Sequence, residues 1–155
     1  MLEVPPTPIG ATSHGSPHIA TLLPVPAPEV EAKWHFAEPW VRSAVDEYAL
    51  LETVESYKAR CLDRSAQLWL IADQDQVVGC GITEIYPTNK GMTCAVPVLA
   101  AASFEDALTP LFGTLEQWAR EQGCVRLQGY GRMGWVRALK PHGWRPRAVE
   151  IEKDI

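Results

Sequence analysis

The stretch from 67 to 100 constrains this chain more than any other. Three apolar runs, QLWLIA at 67–72, VVGCGITEIY at 77–86 and MTCAVPVLA at 92–100, are separated by Asp73-Gln74-Asp75-Gln76 and by Pro87-Thr88-Asn89-Lys90-Gly91. Runs of this kind bounded by turn residues read as strands, and turns this short join strands as antiparallel hairpins. The first run shows almost no polar alternation, as expected of a strand buried on both faces. Pro97 marks a bulge or an edge in the third.

Helical spacing surrounds this meander. Between 28 and 48, Val30, Trp34, Trp40, Val41, Ala44, Val45 and Tyr48 follow a helical pattern. Pro28 suits a first helical position, and Pro39 predicts a break or kink near Ala37. A second helix is expected over 53–62. The longest is expected over 104–122, where Phe104, Leu108, Leu111, Phe112, Leu115, Trp118 and Ala119 recur at spacings of three and four. Ser103 with Asp106 forms one N-cap pair for it, Thr109-Pro110 offers a second start, and Gly123 ends it. A short strand at 124–127, a helix at 133–139 stopped by Lys140-Pro141-His142-Gly143, and a final strand at 144–153 complete the chain. An edge strand within 18–25 precedes them all, giving the order β-α-α-β-β-β-α-β-α-β.

At 155 residues the chain is the length of one domain. Seven of its 13 prolines fall in the first 28 residues, where Glu3 is the only charged side chain. Residues 1–16 therefore read as a flexible Pro-rich arm with too little apolar area to offset its ordering entropy, and 17–155 as the globular body. The start lacks the basic residues and apolar core of a signal peptide, and no apolar run is long enough to span a membrane. Cys61, Cys80, Cys94 and Cys124 sit in apolar company with no C-x-x-C pair and no histidine at zinc-ligand spacing. Free buried thiols in a reducing cytoplasm, and no metal site, are the expectation.

The formal net charge of −5 disfavours generic nucleic-acid binding, yet residues 124–155 hold seven basic and three acidic side chains. Between 126 and 147 the set Arg126, Arg132, Arg137, Lys140, Arg145 and Arg147 meets no acid. Such a patch reads either as a solvated helix face or as a site for a phosphate, a nucleic acid or an acidic partner.

The segments Glu116-Gln117-Trp118-Ala119-Arg120-Glu121-Gln122-Gly123-Cys124 and Gly131-Arg132-Met133-Gly134-Trp135-Val136-Arg137-Ala138-Leu139-Lys140-Pro141-His142-Gly143-Trp144, within that element order, resemble the GCN5-related N-acetyltransferase (GNAT) family. More narrowly they resemble small GNAT-like proteins of tailed bacteriophages and prophages. The resemblance implies an α/β (α+β) fold with a mixed, mostly antiparallel central sheet flanked by helices, over about residues 17–155. It also implies acetyl-CoA at the junction of the third meander strand and the long helix, which makes Leu99, Ala100, Ala101 and Ser103 the candidate cofactor-binding residues.

The residues at that junction depart from the family's pattern of Arg or Gln followed by spaced glycines. Residues 98–106 read VLAAASFED, with no glycine, Arg or Gln. Glycines let backbone N–H groups close on a pyrophosphate, and a helix N-terminus adds partial positive charge. Glu105 and Asp106 instead put acids in the first turn, where they favour a self-capped helix and repel a diphosphate. Four residues before Gly143, where the family often carries a Tyr general acid, stands Leu139. Tyr130 is a substitute acid and Glu84 a candidate base, each with an alternative reading as an ordinary core or surface residue.

Three functions fit these residues, in descending order. The first is a non-catalytic GNAT-like domain, without cofactor, making contacts with other protein subunits such as phage structural proteins, in the host cytoplasm and in the virion. The second is an acetyl-CoA-dependent N-acetyltransferase with a divergent loop. The third is nucleic-acid binding through the patch at 126–147. No membrane partner is expected.

Overall fold

The computed structural model describes residues 20–48, 52–102, 109–131 and 133–155. The expected arm at 1–16, Ser103 and Arg132 lie outside them. The elements run β1 (Thr21–Val25), α1 (Ala27–Tyr48), α2 (Val54–Leu62), β2 (Gln67–Asp73), β3 (Gln76–Thr88), β4 (Gly91–Ala101), α3 (Thr109–Glu121), β5 (Arg126–Gly129), α4 (Met133–Leu139) and a 3-10 turn, Lys140–His142. One sheet carries the strands in the order β1-β2-β3-β4-β5. The first three pairings are antiparallel and β4–β5 is parallel.

Both faces of this sheet are covered, which is why β2 is apolar throughout. On one face Leu68, Leu70, Cys80, Ile82 and Val98 pack with Val30, Trp34, Ala37 and Val41 of α1 and with Tyr57 and Cys61 of α2. On the other, Leu22, Trp69, Ile71 and Val96 pack with Leu111 and Leu115 of α3. Trp69 is buried there with its indole N–H donated to the Thr83 hydroxyl at 2.9 Å. All four cysteines are free and buried, and burial pushes the Cys61 and Cys94 thiols up to about 12.

The structure corrects four expectations. Pro39 does not break α1, which runs unbroken from Ala27 to Tyr48. Pro39 and His35 lie on the solvent side, so the carbonyl that loses its donor meets water, while Phe36, Ala37, Val41 and Ala44 bury the opposite face. Pro87 belongs to β3 and not to a turn, pairing with Met92. It is tolerated because β2 runs out at Gln67 opposite Thr83, leaving the end of β3 with one neighbour. The strand expected at 124–127 lies at Arg126–Gly129, since the Gly123 and Cys124 N–H groups close the end of α3 on Arg120 and Ala119.

The fourth correction concerns 144–153, which forms no strand. After Gly143, in the left-handed region at φ 89°, the chain is irregular, and Val149 and Ile151 are 85% and 88% exposed. Pro146 has no N–H to give to a ladder, and the segment pairs with no strand among the described residues. The first turn expected for the long helix, at 104–108, lies outside the described residues.

Candidate functional site

The register of β3 against β4 builds the site. Ile82 pairs with Val98 and Glu84 with Ala95, so β4 spends one extra residue across Val96-Pro97. Pro97, without an N–H, suits this interruption, as the sequence suggested. Below the bulge β4 pairs with β5 from Thr93↔Arg126 to Val96↔Gly129. Above it, β4 continues to Ala101 while β5 has ended, so the two parallel strands part at the bulge.

Side chains alternate across these strands. Glu84, Tyr86, Thr93, Ala95, Arg126 and Gln128 therefore share the α2 side of the sheet. The Tyr86 hydroxyl donates to Gln128 Oε1 at 2.7 Å, Arg126 donates to the same oxygen at 3.2 Å, and Gln128 Nε2 donates to the Tyr130 hydroxyl at 3.0 Å. From α2, Arg60 donates to Glu84 and lies 3.7 Å from Glu52.

Burial raises the Glu84 carboxyl above the ordinary glutamate value, opposed by the Arg60 charge. Burial and the Glu84 charge together push the Tyr57 hydroxyl up to about 12. The face is a polar floor held by its own hydrogen bonds, with one carboxyl poised to take up a proton more readily than usual.

The structure thus places Glu84 and Tyr130 on the same side of the sheet, Glu84 17% exposed at its side chain and Tyr130 59% exposed as a residue. Arg60, Tyr57, Tyr86 and Gln128 were not singled out from sequence. The period-two series Arg126, Gln128, Tyr130 was the available signal.

The candidate cofactor residues divide between the two faces. Leu99 and Ala101 pack against the α3-side core, and Ala100 packs against the α1-side core. The Ala102 N–H is donated to the Val78 carbonyl at 2.8 Å. Between α3 and the sheet, Leu22 of β1, Trp69 of β2, Gly81 of β3, Val96 and Leu99 of β4 and Leu111 of α3 line a cavity of about 20 Å³, the room of about one water. Phe112 meets Trp135 and Trp144 edge-on, at centroid distances of 5.8 and 5.6 Å.

Arg126 is tied to Gln128, Arg137 stands on α4, Lys140 on the 3-10 turn, and Arg145 and Arg147 on the exposed tail. No group of His, Cys, Asp and Glu among the described residues is placed to hold a metal ion. No helix among them is long and apolar enough to cross a membrane.

Solved structures share this architecture. An aminoglycoside acetyltransferase, meta-AAC0020, from an uncultured soil metagenomic sample aligns at TM-score 0.65 with 9% identity, over 88% of this chain and 97% of its own. A predicted acetyltransferase from Clostridium acetobutylicum, solved with acetyl-CoA, aligns at 0.59 with 10% identity, over 88% and 96%. A transcriptional regulator from Bacillus halodurans C-125 aligns at 0.62 with 14% identity, over 88% and 99%. No protein-family model and no curated protein matches the sequence. The chain therefore has a GNAT-like fold: a mostly antiparallel five-stranded sheet flanked by helices, as in GNAT acetyltransferases. At these identities the likeness is one of fold, and the fold alone does not fix an activity.

Proposed function

We propose that this chain is a GNAT-like binding domain that works through protein contacts and does not transfer acetyl groups. The observation that carries this reading is the junction between β4 and α3. A CoA diphosphate needs free backbone donors, close backbone approach and positive charge. Residues 98–102 contain no glycine and no basic side chain, the Ala102 N–H is already used, and Pro110 in the first turn of α3 has no N–H to give. Residues 98–102 and 109–112 do not fit that group.

The likeness of 116–124 and 131–144 to small phage GNAT-like proteins supports contacts with phage structural subunits as the setting. Isothermal titration calorimetry with acetyl-CoA tests the reading. No heat of binding at millimolar ligand is expected, and micromolar affinity would overturn it.

A second reading, an acetyl-CoA-dependent N-acetyltransferase with a divergent loop, is favoured by one observation. Glu84 combines partial burial, a raised pKa and a polar floor, the properties of a general base. Its bond to Arg60 counts against a free base. If acetyl-CoA binds and Glu84→Gln abolishes turnover without weakening that binding, this second reading replaces the first.

A further inference from the structure

We propose that the closing unit of the chain binds single-stranded nucleic acid, DNA and RNA alike: Arg137, Lys140, Arg145 and Arg147 take backbone phosphates, and Tyr130 and Trp144 stack on bases. The charges point there first. Earlier in the chain Lys33, Arg42, Lys58, Arg60 and Arg120 each form an ion pair with a glutamate. Arg137, Lys140, Arg145 and Arg147 are exposed and form no ion pair among the described residues. Between 126 and 147 the sequence holds no acid to meet them. Exposed cations kept clear of acids present an open positive field to an anion.

The turn after α4 gathers these groups around Trp144. The Gly143 N–H is donated to the Lys140 carbonyl at 3.1 Å and the Trp144 N–H to the Leu139 carbonyl at 3.3 Å, so the chain folds back on the end of α4. Lys140 thus stands in the turn that carries Trp144, Arg137 stands in the last turn of α4, and Arg145 follows the indole directly. The Trp144 ring is half-buried, set edge-on to Phe112 of α3 at 5.6 Å and lying against Gly129, the last residue of β5. Tyr130 comes next, 59% exposed, its hydroxyl held by Gln128 Nε2 at 3.0 Å on the α2 side. Two anchored rings therefore flank the end of β5, one on each side of the sheet.

Rings interleaved with basic side chains match the chemistry of a single strand. Each nucleotide offers one negative phosphate and one flat base, and a base without a partner strand stacks on a protein ring whatever its identity. An acidic peptide would use the charges and leave the rings idle, and a duplex keeps its bases stacked on one another. Stacking and phosphate contacts read neither base edges nor the 2′-hydroxyl, so binding is indifferent to sequence and sugar. The chain as a whole is acidic, at −5, which confines the contact to this unit. The surface uses neither the β4–α3 junction nor Glu84.

Fluorescence anisotropy of end-labelled oligothymidylate and oligouridylate, each of about 20 nucleotides, titrated with the full chain, tests the proposal. Both strands should bind at low salt. Four phosphate contacts should make the logarithm of the binding constant fall with the logarithm of salt at a slope of about −3. Arg145→Ala combined with Arg147→Ala should flatten that slope by about 1.4 and weaken binding by about tenfold or more at low salt. Tyr130→Ala should weaken binding by about fivefold or more and leave the slope unchanged. Both variants alter exposed side chains, and an unchanged circular dichroism spectrum checks that each is folded. No binding of either strand at low salt, binding of one strand only, or an affinity indifferent to salt or to both variants would overturn the proposal. So would a matching duplex or an oligoglutamate that competes as well as an unlabelled strand.

Discussion

The meander of β2, β3 and β4 and the tail that closes the chain after β5 and α4 both carry strand-like apolar runs, and they end differently. Leu70, Ile71, Ile82 and Val98 are at most 1% exposed, while Val149 and Ile151 are nearly bare. A period-two pattern becomes a strand only where a neighbouring edge and a covering layer exist. The meander supplies its own edges through two hairpins, and α1, α2 and α3 supply the layers. The tail runs on past β5 through Pro146 and pairs with no strand among the described residues. The first region is self-sufficient, and the second stays unpaired.

Substitutions break or sharpen this contrast, and the largest effect belongs to the meander. Leu70→Ala opens a hole beneath α1 and should cost about 2–5 kcal/mol, read by urea denaturation. Gly79→Ala follows: the added Cβ would stand 2.3 Å from the Ala100 carbonyl oxygen and 2.8 Å from Ala101 Cα, both backbone. The strands must part, at a cost of about 1–3 kcal/mol or more. Val149→Ala in the tail should change stability by no more than about 0.5 kcal/mol, because a side chain this exposed has few native contacts to lose.

The contrast has an electrostatic counterpart at Glu84, between the two regions. Its folded pKa lies above the ordinary glutamate value because burial outweighs Arg60. The folded chain therefore binds this proton more tightly than the unfolded chain does. The stability it contributes is fully present below the ordinary glutamate pKa and is lost as pH rises through the raised folded value. Denaturation midpoints measured across that window should fall less steeply with pH in Glu84→Gln than in the wild type, and an unchanged slope would show that Glu84 is not perturbed.

Legibility from sequence follows the same division. The meander and its Pro97 bulge, α2, and the buried thiols were readable because burial leaves a local signature. Pro39 misled because propensity knows nothing of a solvent-facing position on a helix whose other side is packed. The shift of β5 by two residues reflects the end of α3, where Cys124 serves as a cap before the chain can extend. The polar floor was half legible. Glu84 and Tyr130 were visible as residue types, but Arg60 and Gln128 come from other elements, and only the register brings them together. The tail's strand pattern was readable, whereas its lack of a partner was not, since a sequence does not say which edge a strand will find.

The central claim is that a GNAT-like fold here lacks acetyl-CoA binding at the place where β4 and β5 part. Amide chemical shifts of Leu99, Ala100, Ala101, Ala102 and Gly129, followed by 15N nuclear magnetic resonance during titration with acetyl-CoA, test it directly. The account predicts that these amides stay where they are up to millimolar ligand. Saturable shifts centred on them would contradict it and turn the polar floor around Glu84 into an active site.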